Sequence, residues 1–262
     1  MKKLLYIALV LTFFGSAAKA DYINLTADKR VEWDSKNQTM TAVGNAVATK
    51  QDMKIRADKM TAHYLKGADK KTKSGIEKVH ASGAVNLSSP QADGYGDTLD
   101  YLVDADEIIL KGQPAKIKTA KETITAKDSI TYYPSKQMAV ALGDVISKDA
   151  ENQVRSDKMV AYFQKDAAGK MQMDKVEIFG HISITTPNGN VNADRGVYFP
   201  QTGIVKLYDS ITLEQDGNKL RGDYAESNLN TGISRIIAGP NSGGRVSGVF
   251  KEKKSDNSKS AK

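Results

Sequence analysis

The side chains most able to move a proton or hold a metal near neutral pH are His63, His80 and His181, and they lie far apart in the chain. His63 corresponds to Tyr162 in a later, similar segment, so its position tolerates a residue that is not an imidazole, and a surface or strand place reads better than a metal ligand. Nucleophilic chemistry has less to work with. There is no cysteine, no Gly-x-Ser-x-Gly elbow and no Gly-x4-Gly-Lys-Ser/Thr loop to cradle a nucleotide. Asp28, Asp58, Asp157, Asp194 and Asp223 recur at similar places and invite a calcium or paired-acid reading. Each stands alone in its segment, without the Gly-Gly-x-Gly-x-Asp density of a calcium β-roll, and Asp beside a strand bend is ordinary turn chemistry. Tyr64, Tyr101, Tyr132, Tyr133, Tyr198 and Tyr224 read as packing residues rather than as a carbohydrate platform. The residues therefore predict no catalytic group, no metal and no cofactor.

What remains is a pattern of apolar alternation. Period-two spacing points Ile23, Leu25, Ile55, Ala57, Val85, Leu87, Ile124, Ala126, Val154, Ile182, Ile184, Val191 and Ala193 to one side of their strands. Such a face either packs against itself as a filled core or lines an apolar trough, and alternation is the same in both. Small residues such as Ala57, Ala126 and Ser156 leave width where a filled core would favour Leu or Phe.

The elements that must hold this face are repetitive. An "apolar, x, small, polar" phrase begins at Leu25, Ile55, Ala92, Ile124, Val154, Val191 and Leu220, at intervals of 29 to 37 residues. Between these phrases come turn-initiated alternating runs beginning at Gly44, Gly83, Gly112, Gly143, Gly180 and Tyr208. A longer period overlies them. Ile55-Arg-Ala-Asp-Lys-Met-Thr-Ala-His-Tyr64 returns as Val154-Arg-Ser-Asp-Lys-Met-Val-Ala-Tyr-Phe163, and the same offset of about 99 residues carries Leu25 to Ile124 and Ala92 to Val191. No i, i+3, i+4, i+7 pattern persists for three turns beyond the amino terminus, so the prediction is fourteen or more short strands in a solenoid, sandwich or open barrel.

The chain has 262 residues, 40% of them hydrophobic and 26% charged, with a formal charge of +7. Lys2, Lys3 and Lys19, together with a net +3 in the last twelve residues, account for most of that charge and leave residues 21 to 250 near +1. A nucleic-acid partner is not expected of so neutral a body. Lys2-Lys3, the apolar run Leu4 to Phe14 and Ala18-Lys19-Ala20 read as a signal peptide over residues 1–20, cleaved after Ala20. An uncleaved anchor is the rival, but the apolar run is short against the roughly twenty residues a bilayer needs. Residues 241–262, ending in the Lys/Ser-rich stretch from Lys251, read as a disordered tail.

In their order and spacing these phrases resemble the OstA/LptA family, the periplasmic bridge proteins of lipopolysaccharide export. The resemblance rests on Ile23-Asn24-Leu25-Thr26-Ala27-Asp28, Ile55-Arg56-Ala57-Asp58-Lys59-Met60, the Gly-initiated strands, Tyr101 to Gly112, and Ile124 to Met138 with its Tyr132-Tyr133-x4-Met138. It runs from residue 23 to about 141, and the duplicated copy extends it to about 239. It implies an all-β, elongated OstA-like β-jellyroll: a V-shaped open stack of short antiparallel strands with about seven repeat units. That body would span residues 21–240, with the internal duplication dividing at about 25–123 and 124–240. It also implies a periplasmic, non-enzymatic carrier of lipopolysaccharide that holds the lipid A acyl chains. Its partners would be related modules of the inner-membrane and outer-membrane transport proteins, or further copies of itself joined head to tail. Among the interior positions it favours Ile23, Leu25, Val85 and Leu87 for lipid contact. The upstream edge would be Asp21 to Thr26 and the downstream one Leu220 to Ile237. The chain departs from the family's usual length, with more than two copies of a three-unit superrepeat rather than about one and a half. A secreted β-solenoid that acts on or adheres to polysaccharide, and the membrane-anchored partner of the same pathway, are the alternatives.

Overall fold

The computed structural model describes residues 23–50, 52–65, 75–167, 169–238 and 245–251. The expected signal peptide and its cleavage site lie outside the described residues. The secondary structure within them is strand throughout. The first ten strands are β1 (Asn24–Thr26), β2 (Arg30–Asp34), β3 (Thr39–Lys50), β4 (Met53–Tyr64), β5 (Ile76–Ser88), β6 (Ala92–Leu102), β7 (Glu107–Lys111), β8 (Ala115–Thr119), β9 (Thr123–Ala126) and β10 (Ser129–Tyr133). They continue as β11 (Met138–Lys148), β12 (Gln153–Lys165), β13 (Met171–Thr186), β14 (Gly189–Phe199), β15 (Ile204–Gln215), β16 (Asn218–Asn228), β17 (Ile233–Ile237) and β18 (Ser247–Val249).

All pairings are antiparallel, and each strand pairs with its neighbour along the chain or one step further, apart from β7, which also pairs with β10. Four couples of short strands each fill the width of one long strand. β1 and β2 both pair with β3, β7 and β8 with β6, β9 and β10 with β11, and β17 and β18 with β16. With the ten long strands this makes fourteen rungs among the described residues, a meander in which each rung touches only its neighbours. The last half-rung corrects one expectation. Ser247–Val249 falls inside the supposed tail but pairs with Lys219–Arg221, and the Lys251 amide donates to Asn218 Oδ1 at 2.9 Å.

The long strands bend at fixed places. In β3, β5, β11, β13 and β15 two successive residues adopt positive φ: Gly44-Asn45, Gly83-Ala84, Gly143-Asp144, Gly180-His181 and Asp209-Ser210. On the following strand a single Asp faces each couple: Asp58, Asp97, Asp157, Asp194 and Asp223, respectively. This two-against-one arrangement is a β-bulge, which breaks the ladder and sharpens the local bend. The recurrent aspartates are thus residues of the bends. Asp28 accepts from Asn45 Nδ2 at 2.7 Å, Asp144 takes both Nε and Nη2 of Arg155, and Asp209 takes Arg195.

Because every rung bends or breaks at the same level, the meander divides into two facing sheets. One contains β2, β7, β10 and β17 with the adjoining halves of the long strands; the other contains β1, β8, β9 and β18 with the remaining halves. Their inner faces share one core. Met60, Leu99, Leu110, Ile130, Met159, Val176 and Leu207 of the first sheet meet Ala57, Val85, Ile117, Val145, Val154, Ile182 and Ile211 of the second. A Cβ on Gly94 of the second sheet would lie 3.5 Å from Leu110 Cδ2 of the first, which shows how closely the layers approach.

Candidate functional site

Between the two sheets, at the amino-terminal end of the stack, lies a cavity of about 390 Å³. The second sheet contributes Ile23 and Leu25 from the first rung, Ala48 from β3, Ile55 from β4 and Leu87 from β5. The first sheet contributes Trp33, Met40, Met60, Ala62, Tyr64, Val79, Leu99, Tyr101 and Ile108. Leu99 and Met60 are buried at its floor, whereas Trp33 and Tyr64 stand at the mouth with ring centroids 5.2 Å apart. Tyr64 is held there by its amide, which donates to the Gln38 carbonyl, and by its hydroxyl, which donates to the Asp34 carbonyl at 3.4 Å. Thr49, Lys50 and the tyrosine hydroxyls are the polar groups at the lining. Burial, with the Asp106 carboxylate adding to it, pushes the Tyr101 hydroxyl above its ordinary value, so this wall stays neutral across the physiological range.

The residues singled out by alternation fall into three places. Ile23, Leu25, Ile55 and Leu87 line the cavity. Ala57 and Val85 are buried behind it. Ile124, Ala126, Val154, Ile182 and Ala193 are buried in the packed interior of the later rungs, with Ile184 and Val191 half-buried against that core. The wall formed by the first sheet was missed. Each bulge shifts the phase of alternation, so the inward residue after Ala57 is Met60, a step of three rather than two, and the run then continues through Ala62 and Tyr64. Reading Met60-Ala62-Tyr64, Val79-Ala81 and Leu99-Tyr101 with the phase reset at each bend would have found it.

The histidines do not converge. His63 is exposed. His80 Nδ1 and Lys78 Nζ each lie 2.9 Å from Asp100 Oδ1 on the outer face. Burial raises the Asp100 pKa, but the hydrogen bonds from Lys78 and His80 outweigh it and hold the carboxyl below its usual range. His181 Nδ1 lies 2.8 Å from Asp157 Oδ2 across a bend, and this contact raises the imidazole above its ordinary value. Among the described residues no three His, Cys, Asp or Glu side chains are grouped to hold a metal ion, and no helix is long and apolar enough to cross a membrane.

Exposed large apolar side chains gather at the two ends of the stack. Ile23, Val31, Trp33 and Leu65 lie at the first end, and Ile233, Ile237, Val246, Val249 and Phe250 at the last, with Leu142 the exception. At both ends the outer edges, β1–β2 and β17–β18, are unpaired among the described residues.

The family described as LptA/(LptD N-terminal domain) LPS transport protein matches the chain twice, over residues 24–138 and 123–233. The two matches begin 99 residues apart, which is the offset of the internal repeat. One solved structure that matches is the crystal structure of LptH, described as the LptA homologous periplasmic component of the conserved lipopolysaccharide transport device from Pseudomonas aeruginosa. The match has 18% identity and a TM-score of 0.43, and covers 50% of this chain and 95% of that one. No curated protein matches.

Proposed function

The chain belongs to the LptA/(LptD N-terminal domain) family of lipopolysaccharide transport proteins, and from that premise we propose that it is a periplasmic bridge component which shelters lipid A acyl chains in the cavity at its amino-terminal end. The observation that carries this reading is the place of the cavity: its apolar walls open at the end rung, beside an unpaired strand edge. Burial in such a site removes the main cost of crossing water. At about 0.8 kcal/mol per CH₂, one exposed chain of a dozen carbons costs on the order of 10 kcal/mol. Ile23, Leu25, Ile55 and Leu87 would contact acyl carbons from one side, and Met60, Ala62, Val79 and Tyr101 from the other. Modules of the inner-membrane and outer-membrane partners would add strands at β1–β2 and at β17–β18, the mode by which an exposed sheet edge recruits another chain. With no nucleotide loop in the sequence, the work of transport would come from an ATPase elsewhere in the pathway.

The test is photo-crosslinking in cells from probes at Leu25 and Leu87, with the exposed Thr26 as control. Lipopolysaccharide adducts at the first two and not at the third are expected. Equal labelling at all three, or none, would reject the assignment. A parallel readout uses the single tryptophan, Trp33, whose place at the mouth predicts a blue-shifted and brighter emission when acyl chain enters.

A further inference from the structure

Resting on the reading that strands are added at both ends of the stack, we infer that the seam between the two repeats is a covalent replica of the joint between two copies of this chain. It sets their register, with Arg235 of one copy facing Glu32 of the next. Divided rungs occur as β1/β2, β7/β8, β9/β10 and β17/β18, and among the described residues only the middle two lie side by side. There β7 pairs with β10, and β8 with β9. The seam thus stacks a rung of the kind that ends the chain on a rung of the kind that begins it.

The bends fix which residues correspond. Gly44-Asn45 on β3 and Gly143-Asp144 on β11 are equivalent. Counting back from them through the pairings makes Val31 and Glu32 the counterparts of Ile130 and Thr131, and Leu25 that of Ile124. Asp97 on β6 and Asp223 on β16 each face a bend of the preceding strand. Counting from them makes Ile236 and Arg235 the counterparts of Leu110 and Ile109, and Gly248 that of Ile117. In the seam Leu110 faces Ile130, Ile109 faces Thr131 and Ile117 faces Ile124. Transferred to the ends, this register sets Ile236 opposite Val31 of the next copy, Arg235 opposite Glu32 and Gly248 opposite Leu25.

Two properties of the ends fit this register and were not used to find it. The first is charge. Opposite charges directly across a strand pair attract and like charges repel, and the one charged residue of β17 meets the one acid in the middle of β2. A shift of two residues one way would set Arg235 against Arg30; the other way it would meet Asp34, whose carboxylate already accepts from the Lys36 and Asn37 amides. The second is burial. Leu110, Ile130 and Tyr132 are buried at the seam, whereas Val31 and Trp33 are exposed, so a following copy would give the end residues the cover their counterparts have. Inner-facing residues meet inner-facing residues in this joint, so the interior continues from one copy into the next. A head-to-tail contact of this kind repeats without closing, and copies would add in a row.

The chain has no cysteine, so disulfides can map the joint without interference. Full-length mature chain carrying Arg235→Cys is mixed with chain carrying Glu32→Cys, Arg30→Cys or Asp34→Cys and oxidised. Residues directly opposite lie about 4.5–5.5 Å apart between Cβ atoms and diagonal ones about 7–8 Å, so disulfide dimer at position 32 should exceed that at 30 or 34 by about tenfold. In sedimentation velocity, Arg235→Glu or Glu32→Arg alone should weaken association about fivefold, and the chain carrying both changes should regain it. That recovery also shows that the single variants were folded. Strongest cross-linking at position 30 or 34, or no recovery in the double variant, would overturn the register while leaving the edges as the joint. Chains that associate without any of the three disulfides would reject the inference together with the reading that the ends add strands. A chain that stays monomeric at every concentration would overturn the inference alone, since the edges would still be open to modules of other proteins.

Discussion

Replacing Gly180 with alanine tests whether the bends hold the two sheets in place. Gly180 has φ +74° and is the first of the two left-handed residues at which β13 bends. A Cβ there would run into the Asp157 carboxylate, the group that pairs with His181. An L-residue held in the left-handed region costs about 1–2 kcal/mol, and forcing an extra carbon into an occupied site adds about 1–3 kcal/mol. The expected loss is therefore about 2–5 kcal/mol. For a body of this size each kcal/mol lowers Tm by about 2–4 °C, so thermal unfolding followed by circular dichroism should move down by roughly 4–20 °C. Gly232 is the matched control: φ +73° with open space where a Cβ would stand, so Gly232→Ala carries the conformational cost alone, about 1–2 kcal/mol. In the double variant Asp157→Ala with Gly180→Ala the carboxylate is gone and only the residue-157 Cβ stays close, at 3.0 Å, so part of the loss should return, a coupling that a double-mutant cycle reads directly. If Gly180→Ala melts no lower than Gly232→Ala, or if the double variant recovers nothing, the account of the bends is wrong.

Two further measurements address the packing and the charges. Ile182→Ala removes a side chain that is 1% exposed, and should cost about 2–5 kcal/mol in urea unfolding; Ile55→Ala trims a half-buried side chain that already faces open space, and should cost about 1 kcal/mol. Equal losses would contradict the contrast between the cavity-lining place of Ile55 and the buried one of Ile182. The contact with Asp157 raises the His181 pKa on folding, so its contribution is fully present below the ordinary value of 6.5 and fades as pH rises through the raised folded value. Proton NMR titration should show the His181 midpoint falling toward 6.5 in Asp157→Asn, and an unmoved midpoint would refute the pairing.

Much of this arrangement was legible in the residues. Runs rich in Val, Ile, Thr and Tyr, punctuated at Gly44, Gly83, Gly143 and Gly180, gave both the strands and the places where they bend. The recurrent aspartates were readable as bend residues because nothing around them completed a ligand set. Half of the cavity was not legible, for a local reason: an inserted residue reverses the phase of a period-two pattern, so a face read correctly up to Ala57 is read wrongly from Lys59 onward. Whether a position faces space or a neighbour was hidden for a non-local reason. Leu25 and Ile124 sit in the same phrase, yet Leu25 lines a cavity and Ile124 is core, because a further rung stacks ahead of the second and none does ahead of the first among the described residues. Trp33, flanked by Glu32 and Asp34, carried no apolar pattern to mark it as part of a wall.

A meander whose rungs touch only their neighbours can be lengthened in the middle without altering either end. Duplication therefore adds interior rungs and leaves one first rung and one last rung, and among the described residues these are where most of the exposed large apolar side chains gather. The amino-terminal edge shows what is left open. On β2, Arg30 and Glu32 pair at 3.2 Å on the outer face, while Val31 and Trp33 point to the inner one. Proteins that must keep an edge from pairing place a proline, a bulge or an inward-pointing charge on it, and β2 carries none of these. β17 and β18 present Ile233, Ile237 and Val249 with a single charge, Arg235, among their residues. Exposed apolar surface on an unprotected edge is a hazard for a lone chain and an asset for one that is covered in use. The rungs that could take up another strand, and the rung that opens onto the cavity, are thus the outermost ones among the described residues.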